Sequence, residues 1–159
     1  ERMIFTTTQG ISEPAMYDKI LLPTDGSDLS MAAAERAVRL ARLAGAPLHA
    51  VYVREPYPYA GIGAASGAAL MEYEAATQQQ AEMAFTRVAA LAQAQGVSLS
   101  TATDEGSNPA EHIVATAQDC GADLIVMGSH GRSGVARVLL GSVAGKVLML
   151  AHVPVMIVK

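Results

Sequence analysis

The strongest constraint on the fold is an alternation between short apolar runs and helical patterns. Five apolar runs are separated by four helical stretches, and the runs lie at 19–23, 48–53, 97–103, 124–127 and 153–158. No two runs are joined by a hairpin turn, so each strand returns to the sheet through a helix. Right-handed crossovers then predict a parallel sheet with helices on both faces. The economical strand order is 3-2-1-4-5, with the polar third strand at an edge.

The ends of the helices carry start and stop signals. Capping residues precede the first and third helices, at Ser27 or Asp28 and at Asn108, which is followed by Pro109 and Glu111. Glycines that accept a left-handed conformation are expected to end three helices, at Gly45, Gly96 and Gly121. These signals predict helices over about 28–44, 70–95, 109–120 and 142–150.

Composition restricts the class of protein. The 159 residues suffice for one domain, and aromatic residues make up only 4%, so the core must be aliphatic. The net charge of −4 argues against a nucleic-acid partner, because such a surface needs a basic patch. No apolar run approaches the length of a membrane span, and no secretory signal opens the chain. The single cysteine, Cys120, excludes an internal disulfide and favours a reducing, cytoplasmic location.

The ordered pattern begins at residue 16. Residues 1–15 carry neither helix nor strand periodicity and are expected to form a flexible extension, the alternative being an arm that packs on a partner subunit. Residues 16–159 are expected to form one domain. Within it, 54–69 predicts a lid-like loop because it is long, aperiodic and rich in Gly, Pro and Ala. Its Gly61-x-Gly63-x3-Gly67 only superficially matches a dinucleotide motif, which should follow a strand at once.

The densest glycine pattern follows the fourth apolar run. Gly128, Gly131 and Gly134 come directly after LIVM, and Gly141 with Ser142 opens the next helix. Glycine lets backbone N–H groups approach a ligand closely, and a helix N-terminus offers unpaired N–H groups to an anion. The stretch therefore predicts a phosphate-binding loop. Turn geometry alone is the alternative explanation for each glycine taken singly.

The spacing Gly128-x2-Gly131-x9-Gly141-Ser142 resembles the G-x2-G-x9-G-(S/T) signature of the ATP-binding branch of the universal stress protein family. Further resemblance is carried by YDKILLPTDGSD, DLIVMGSHGRSG, LLGSVAGKVL and PVMIVK, so that it extends over nearly all of 16–159. The resemblance implies a single-domain α/β fold, a Rossmann-like three-layer sandwich of the adenine nucleotide alpha hydrolase-like kind. Every position of the nucleotide signature is filled, including the hydroxyl at Ser142.

The resemblance also implies a nucleotide site made by the first, second and fourth strands. Adenosine would contact the first turn and the second strand, at Pro23, Thr24, Asp25 and Val51. Met127 and Gly128 would lie beneath the nucleotide. The phosphates would contact Gly131, Gly141, Ser142 and Val143. For Asp25, a turn carboxylate that binds nearby backbone amides is the alternative role.

The loop contains further candidate phosphate donors, which are Ser129, His130 and Arg132. The alternative to phosphate contact is a solvated surface arginine at Arg132 and a water-exposed loop histidine at His130. The other histidines lack metal-ligand spacing and are expected to be structural or surface residues, at His49, His112 and His152.

The resemblance implies a regulatory or sensing module of the stress response that binds ATP or another adenine nucleotide. ATP, ADP, AMP and cyclic AMP would share the adenosine contacts. A slow ATP-hydrolysing or adenylating enzyme is one alternative, and Asp25 with the phosphates could then hold Mg²⁺. The chain has neither a P-loop lysine nor a paired general acid and base, so we expect little or no turnover. The other alternative, a scaffold with a vestigial pocket, predicts bulky or acidic substitutions in the glycine signature, and there are none.

The last strand predicts a mode of association. An apolar edge strand promotes aggregation unless another chain covers it. The proteins that this chain resembles dimerise by pairing this strand with its copy. We therefore expect a homodimer through Pro154 to Lys159, while no motif identifies a downstream protein partner.

Overall fold

The structure, a computed structural model, describes residues 16–58, 67–131 and 140–159. Strands and helices alternate along the chain as β1 (Ile20–Pro23), α1 (Asp28–Ala44), β2 (Leu48–Arg54), α2 (Gly67–Ala94), β3 (Leu99–Glu105), α3 (Pro109–Cys120), β4 (Leu124–Gly128), α4 (Ser142–Leu150) and β5 (Val155–Val158). The strands form one parallel sheet in the order β3-β2-β1-β4-β5. The predicted alternation and strand order are confirmed. The extension predicted for 1–15 lies outside the described residues.

The central strands are buried on both faces of the sheet. Successive side chains of a strand point to opposite faces, so Ile20 and Leu22 pack with α1 and α2, whereas Leu21 packs with α3 and α4. The side chains of β4 divide in the same way between the two helical layers. This division confirms the three-layer sandwich and explains why the central strands are apolar without interruption.

Most of the helix ends agree with the sequence signals. The Ser27 side chain accepts a hydrogen bond from the Ser30 amide and caps α1. Left-handed glycines follow three helices, as predicted, with φ of 66°, 67° and 70° at Gly45, Gly96 and Gly121. The cap expected from Asn108 is wrong: its side chain makes no capping bond, because its backbone (φ −124°, ψ 84°) departs from the extended conformation that such a cap adopts.

Three elements begin two or more residues from their predicted starts. β3 begins two residues late, at Leu99, because the Val97 amide donates to the Ala92 carbonyl (2.9 Å) and closes the end of α2. α2 begins at Gly67, so the end of the segment predicted as a lid is helical. β5 begins at Val155 rather than Val153, directly after a proline. Residues 59–66 lie outside the described ranges, and with them half of the predicted lid. No helix within those ranges is long and apolar enough to cross a membrane.

Candidate functional site

A crevice of about 640 Å³ opens at the carboxyl ends of the strands. It lies where β1 and β4 are neighbours, which is the switch point at which parallel α/β sheets bind ligands. Eleven of the thirteen predicted site residues line it, namely Pro23, Thr24, Asp25, Val51, Met127, Gly128, His130, Gly131, Gly141, Ser142 and Val143. The two sequence-distant loops therefore meet in one cavity.

The turn after β1 is held by its own side chains. The Thr24 amide donates to the Val51 carbonyl (2.9 Å), and the Thr24 hydroxyl accepts from the Gly26 amide and contacts the Ser30 hydroxyl. Asp25 Oδ1 accepts a hydrogen bond from the Ser27 amide (3.0 Å), as the alternative role for this carboxylate predicts. The other oxygen, Oδ2, approaches the glycine loop. Asp25 therefore both shapes its turn and lines the crevice.

The two ends of the glycine loop are tied together and to β5. The Ser129 amide donates to the Val158 carbonyl (2.8 Å), and the Gly141 amide donates to the Ser129 carbonyl (2.7 Å). A Cβ atom on Gly141 would lie 2.9 Å from that same carbonyl oxygen. The backbone of α4 therefore begins directly against the end of β4, at a distance that only glycine permits.

Two further glycines lie close to the first helix and turn. A Cβ on Gly128 would lie 3.1 Å from the Leu29 backbone, and a Cβ on Gly131 would lie 2.6 Å from Asp25 Oδ2. Neither glycine has a left-handed φ. Proximity to neighbouring segments, rather than turn geometry, therefore explains the glycines at these positions.

The N–H groups at the start of α4 are suited to an anion. Gly141 precedes the helix, and the Gly145 amide makes the first helical bond, to the Gly141 carbonyl. The amides before Gly145 belong to the first turn of the helix, whose N–H groups have no partner within it. The first turn contains no acidic residue, so its partial positive charge is not neutralised. An oxyanion in the crevice next to Ser142 would accept hydrogen bonds from these N–H groups.

Ser129 and His130 differ from their neighbours in the loop. Ser129 is buried and does not line the crevice, and its hydroxyl lies 3.0 Å from His130 Nδ1. His130 lines the crevice and is half-buried, which contradicts the alternative of a water-exposed loop histidine. Its Nε2 is buried and has no hydrogen-bond partner in the part of the chain that the structure describes. This nitrogen can therefore serve a ligand, whereas Ser129 orients the ring.

The second and third helices supply walls that the sequence analysis did not predict. The additional lining residues are Ser30, Tyr52, Val53, Arg54, Glu55, Tyr73, Thr77, Gln80, Pro109, Ile113 and Ala144. Tyr73, Thr77 and Gln80 follow one face of α2 at helical spacing, which is a signal visible in the sequence. The Tyr73 hydroxyl donates to the Glu55 carbonyl (2.9 Å) and so attaches α2 to the chain after β2.

Arg132 is the remaining predicted residue, and it lies in 132–139, outside the described residues. The proposed contact of Arg132 with a terminal phosphate therefore stays a prediction.

Two of the other three histidines make ordinary structural contacts, and the third, His152, is exposed. His49 Nδ1 lies 2.7 Å from the Ser100 hydroxyl, and His112 Nδ1 lies 2.6 Å from Asp104 Oδ2. Burial, followed by the charge of Lys19, lowers the pKa of His49, and the hydrogen bond from His112 lowers the pKa of Asp104. Over 16–58, 67–131 and 140–159, no three His, Cys, Asp or Glu side chains cluster as a metal site.

Comparisons with known proteins agree with this geometry. A model of the universal stress protein family matches residues 16–159. A universal stress protein of Methanocaldococcus jannaschii is 40% identical over 144 residues, which cover 91% of this chain and 83% of that protein. The structure of UspA from Lactobacillus plantarum has a TM-score of 0.74 at 27% identity, covering 90% of this chain and 98% of that one.

Two similar structures contain adenine nucleotides. A universal stress protein in complex with cAMP has a TM-score of 0.65 at 27% identity, covering 90% of this chain and 97% of that one. A universal stress protein from Archaeoglobus fulgidus in complex with dAMP has a TM-score of 0.62 at 25% identity, covering 90% of this chain and 98% of that one.

Proposed function

The chain belongs to the universal stress protein family, and from this membership we propose that its crevice binds an adenine nucleotide, with ATP as the expected ligand, in a regulatory or sensing role. One observation carries the proposal: the glycine loop and the start of α4 converge on a cavity at the carboxyl ends of the strands. Its volume, about 640 Å³, falls in the range of small-molecule sites. The cAMP and dAMP complexes of two similar proteins support an adenine nucleotide as the ligand class.

The phosphate end of the ligand would lie at the loop. The amides of Ser142 and Val143 and the ring of His130 line this part of the crevice, and all can donate to phosphate oxygens. A nucleotide would also supply the partner that His130 Nε2 lacks among the described residues. Mg²⁺ would enter with the phosphates, because such ions bind through one or two carboxylates plus substrate oxygens and Asp25 is beside Gly131.

The base would lie beyond β1, on the β2 side. We propose that Val53, rather than Val51, supplies the backbone contact. The Val51 carbonyl already accepts the Thr24 amide, so it is engaged within the sheet. Backbone groups of consecutive strand residues face opposite neighbouring strands, so those of Val53, two residues after Val51, also face the β1 side. There β1 has ended at Pro23, and the cavity begins.

We propose that the nucleotide is held with little or no turnover, in a cytoplasmic protein. The oxygen Oδ1 of Asp25 is occupied by the Ser27 amide, which limits its use as a base toward water. A steady-state ATPase assay tests the proposal. Turnover in the ordinary enzyme range of ~1–10³ s⁻¹, abolished in Asp25→Ala, would show an enzyme instead.

Native mass spectrometry of freshly purified protein tests nucleotide binding directly. We expect the wild type to carry an adenine nucleotide and Gly131→Val to be empty, because a side chain at 131 must enter the space beside Asp25. Gly67→Val is the matched control, since no atom of the described residues lies within 4 Å of a Cβ there and Gly67 is not among the described residues that line the crevice. A wild type that is empty and ignores millimolar ATP would contradict the proposal and favour the scaffold.

We propose further that the protein forms a homodimer through the last strand. β5 lies at the edge of the sheet, where its backbone can pair with a second chain. Apolar side chains at the end of α4 and in β5 are exposed: Leu148, Met149, Leu150 and Met156 are exposed by 44%, 85%, 41% and 38%. Pairing of β5 with its copy would cover both the edge and these side chains.

Sedimentation at micromolar concentration tests the dimer. Met156→Asp should give monomers, because it brings two carboxylates to the proposed contact. Met71→Asp, on exposed α2, is the control and should sediment as the wild type does. A wild type of monomer mass would refute the proposed association.

A further inference from the structure

Two buried side-chain nitrogens lack a hydrogen-bond partner over the described ranges, and both belong to residues that line the crevice. They are His130 Nε2, beside the glycine loop, and Arg54 Nε, at the end of β2. A buried donor that the protein leaves unpaired is expected to be satisfied by a ligand. His130 belongs to the phosphate end already discussed. Arg54 belongs to no motif and has no role in the site as described so far.

The rest of the Arg54 guanidinium is held in place by the protein. Its Nη2 lies 3.2 Å from Glu105 Oε2 on β3, and only 23% of the side chain is exposed. The Arg54 carbonyl accepts the Gly106 amide (3.0 Å), which fixes the backbone as well. The ion pair therefore engages Nη2, while the N–H of Nε stays unpaired over the described ranges on a side chain that lines the cavity.

The position of Arg54 in the sheet assigns it to the base rather than the phosphates. β2 and β4 are separated by β1, so Arg54 and the glycine loop belong to strands about 10 Å apart. Alternate residues of β2 share a face, and Tyr52 packs against α2, so Arg54 lies on the α2 side. The polar and aromatic face of α2, including Tyr73, lines the crevice on that side.

We infer that Arg54 is a specificity residue whose Nε–H donates a hydrogen bond to a ring nitrogen of the base. The inference rests on the proposed nucleotide site. The ring nitrogens of adenine accept hydrogen bonds, and replacing the contacted one by C–H leaves the buried N–H unpaired. A hydrogen bond from a charged donor is strong enough for its loss to lower affinity on the order of tenfold to a hundredfold.

The test combines protein variants with ligand analogues. Dissociation constants are measured for ATP and for its 1-deaza, 3-deaza and 7-deaza analogues, each of which replaces one ring nitrogen by C–H. We expect one analogue to bind the wild type at least about tenfold more weakly than ATP. Arg54→Met should bind ATP as weakly as the wild type binds that analogue, and should not distinguish the two ligands. This non-additivity identifies a direct contact.

Two further variants separate the hydrogen bond from charge and folding. Arg54→Lys retains a cation for Glu105 but has no N–H at the Nε position, so it should behave as Arg54→Met does. Arg36→Met removes an exposed arginine from α1 and should match the wild type with all four ligands.

The outcomes distinguish this inference from the proposal on which it rests. Arg54→Met that weakens all four ligands by one common factor, or that leaves all affinities unchanged, would refute the role of Arg54. Full rescue by Arg54→Lys would refute it as well, since charge would then suffice. A wild type that binds none of the four ligands would instead refute the nucleotide site.

Discussion

Alanine at two glycines of the same loop should have different effects on stability. In Gly141→Ala the new Cβ lies 2.9 Å from the Ser129 carbonyl oxygen and 3.3 Å from the His130 Cα. Both are backbone atoms, tied by the hydrogen bond from the Gly141 amide to the Ser129 carbonyl (2.7 Å). The clash therefore displaces backbone, and overpacking of this kind costs about 1–3 kcal/mol. The backbone at 141 (φ −69°, ψ 157°) is one that alanine can adopt. Replacing glycine there lowers the conformational entropy of the unfolded chain, which stabilises the folded state by roughly 0.4–1 kcal/mol and offsets part of the loss.

In Gly131→Ala the new Cβ instead meets a side chain. It lies 2.6 Å from Asp25 Oδ2, and this carboxylate can rotate away. The rotation gives up the hydrogen bond between Asp25 Oδ1 and the Ser27 amide, at about 0.5–1.5 kcal/mol. The same gain of roughly 0.4–1 kcal/mol from the unfolded state nearly cancels that loss. We therefore expect a net loss of about 1–2 kcal/mol for Gly141→Ala and a change within about 1 kcal/mol for Gly131→Ala.

Urea unfolding at one fixed protein concentration measures the difference. With a slope of about 2 kcal/mol/M, Gly141→Ala should lower the midpoint by roughly 0.5–1 M, and Gly131→Ala should leave it nearly unchanged. If Gly131→Ala proves as destabilising as Gly141→Ala, the distinction between a movable carboxylate and a fixed backbone is wrong.

Three further predictions concern stability away from the crevice. Gly145→Ala should raise the free energy of unfolding by about 0.5–1 kcal/mol, because the position is inside α4 and the nearest described atom to a Cβ there, in Leu140, is at an ordinary 3.7 Å. Urea unfolding measures this change, and no gain in stability would contradict the prediction. Ser27→Ala should cost about 1 kcal/mol in the same assay through loss of the cap on the Ser30 amide, whereas an unchanged midpoint would mean that water replaces the cap. The hydrogen bond from His112 lowers the folded-state pKa of Asp104, so its contribution is present above the ordinary pKa of 3.8 and is lost as the pH falls through the lowered value. In Asp104→Asn the melting temperature should therefore decrease less steeply below about pH 4 than in the wild type. An identical decrease in both proteins would contradict this role of Asp104.

The architecture followed from the sequence because it depends on local pattern and chain connectivity. The apolar run of β4 and the glycine after each of three helices mark the elements, and right-handed crossovers leave few ways to connect them. The strand order in the structure is the predicted one, which confirms this reasoning. Boundaries were less predictable, because they depend on single hydrogen bonds such as the one from the Val97 amide to the Ala92 carbonyl.

The candidate site was predictable only in its central part. The first turn and the glycine loop follow the two central strands, so their meeting at one crevice follows from the strand order. The walls made by α2 and α3 were missed, although Tyr73 and Thr77 carry a helical spacing. Which face of a helix meets a cavity depends on how the helix packs, and residues near the crevice are separated by long stretches of chain.

The sequence by itself determined the elements and their order in the sheet, because periodicity, glycine spacing and connectivity are properties of neighbouring residues. It also predicted that the glycine loop binds phosphate. Only the tertiary structure decided which atoms meet. The approach of Gly131 to Asp25 and the unpaired Nε of Arg54 are examples. Such contacts depend on differences of a few tenths of an ångström between segments far apart in the chain, and close packing of the whole domain sets those distances.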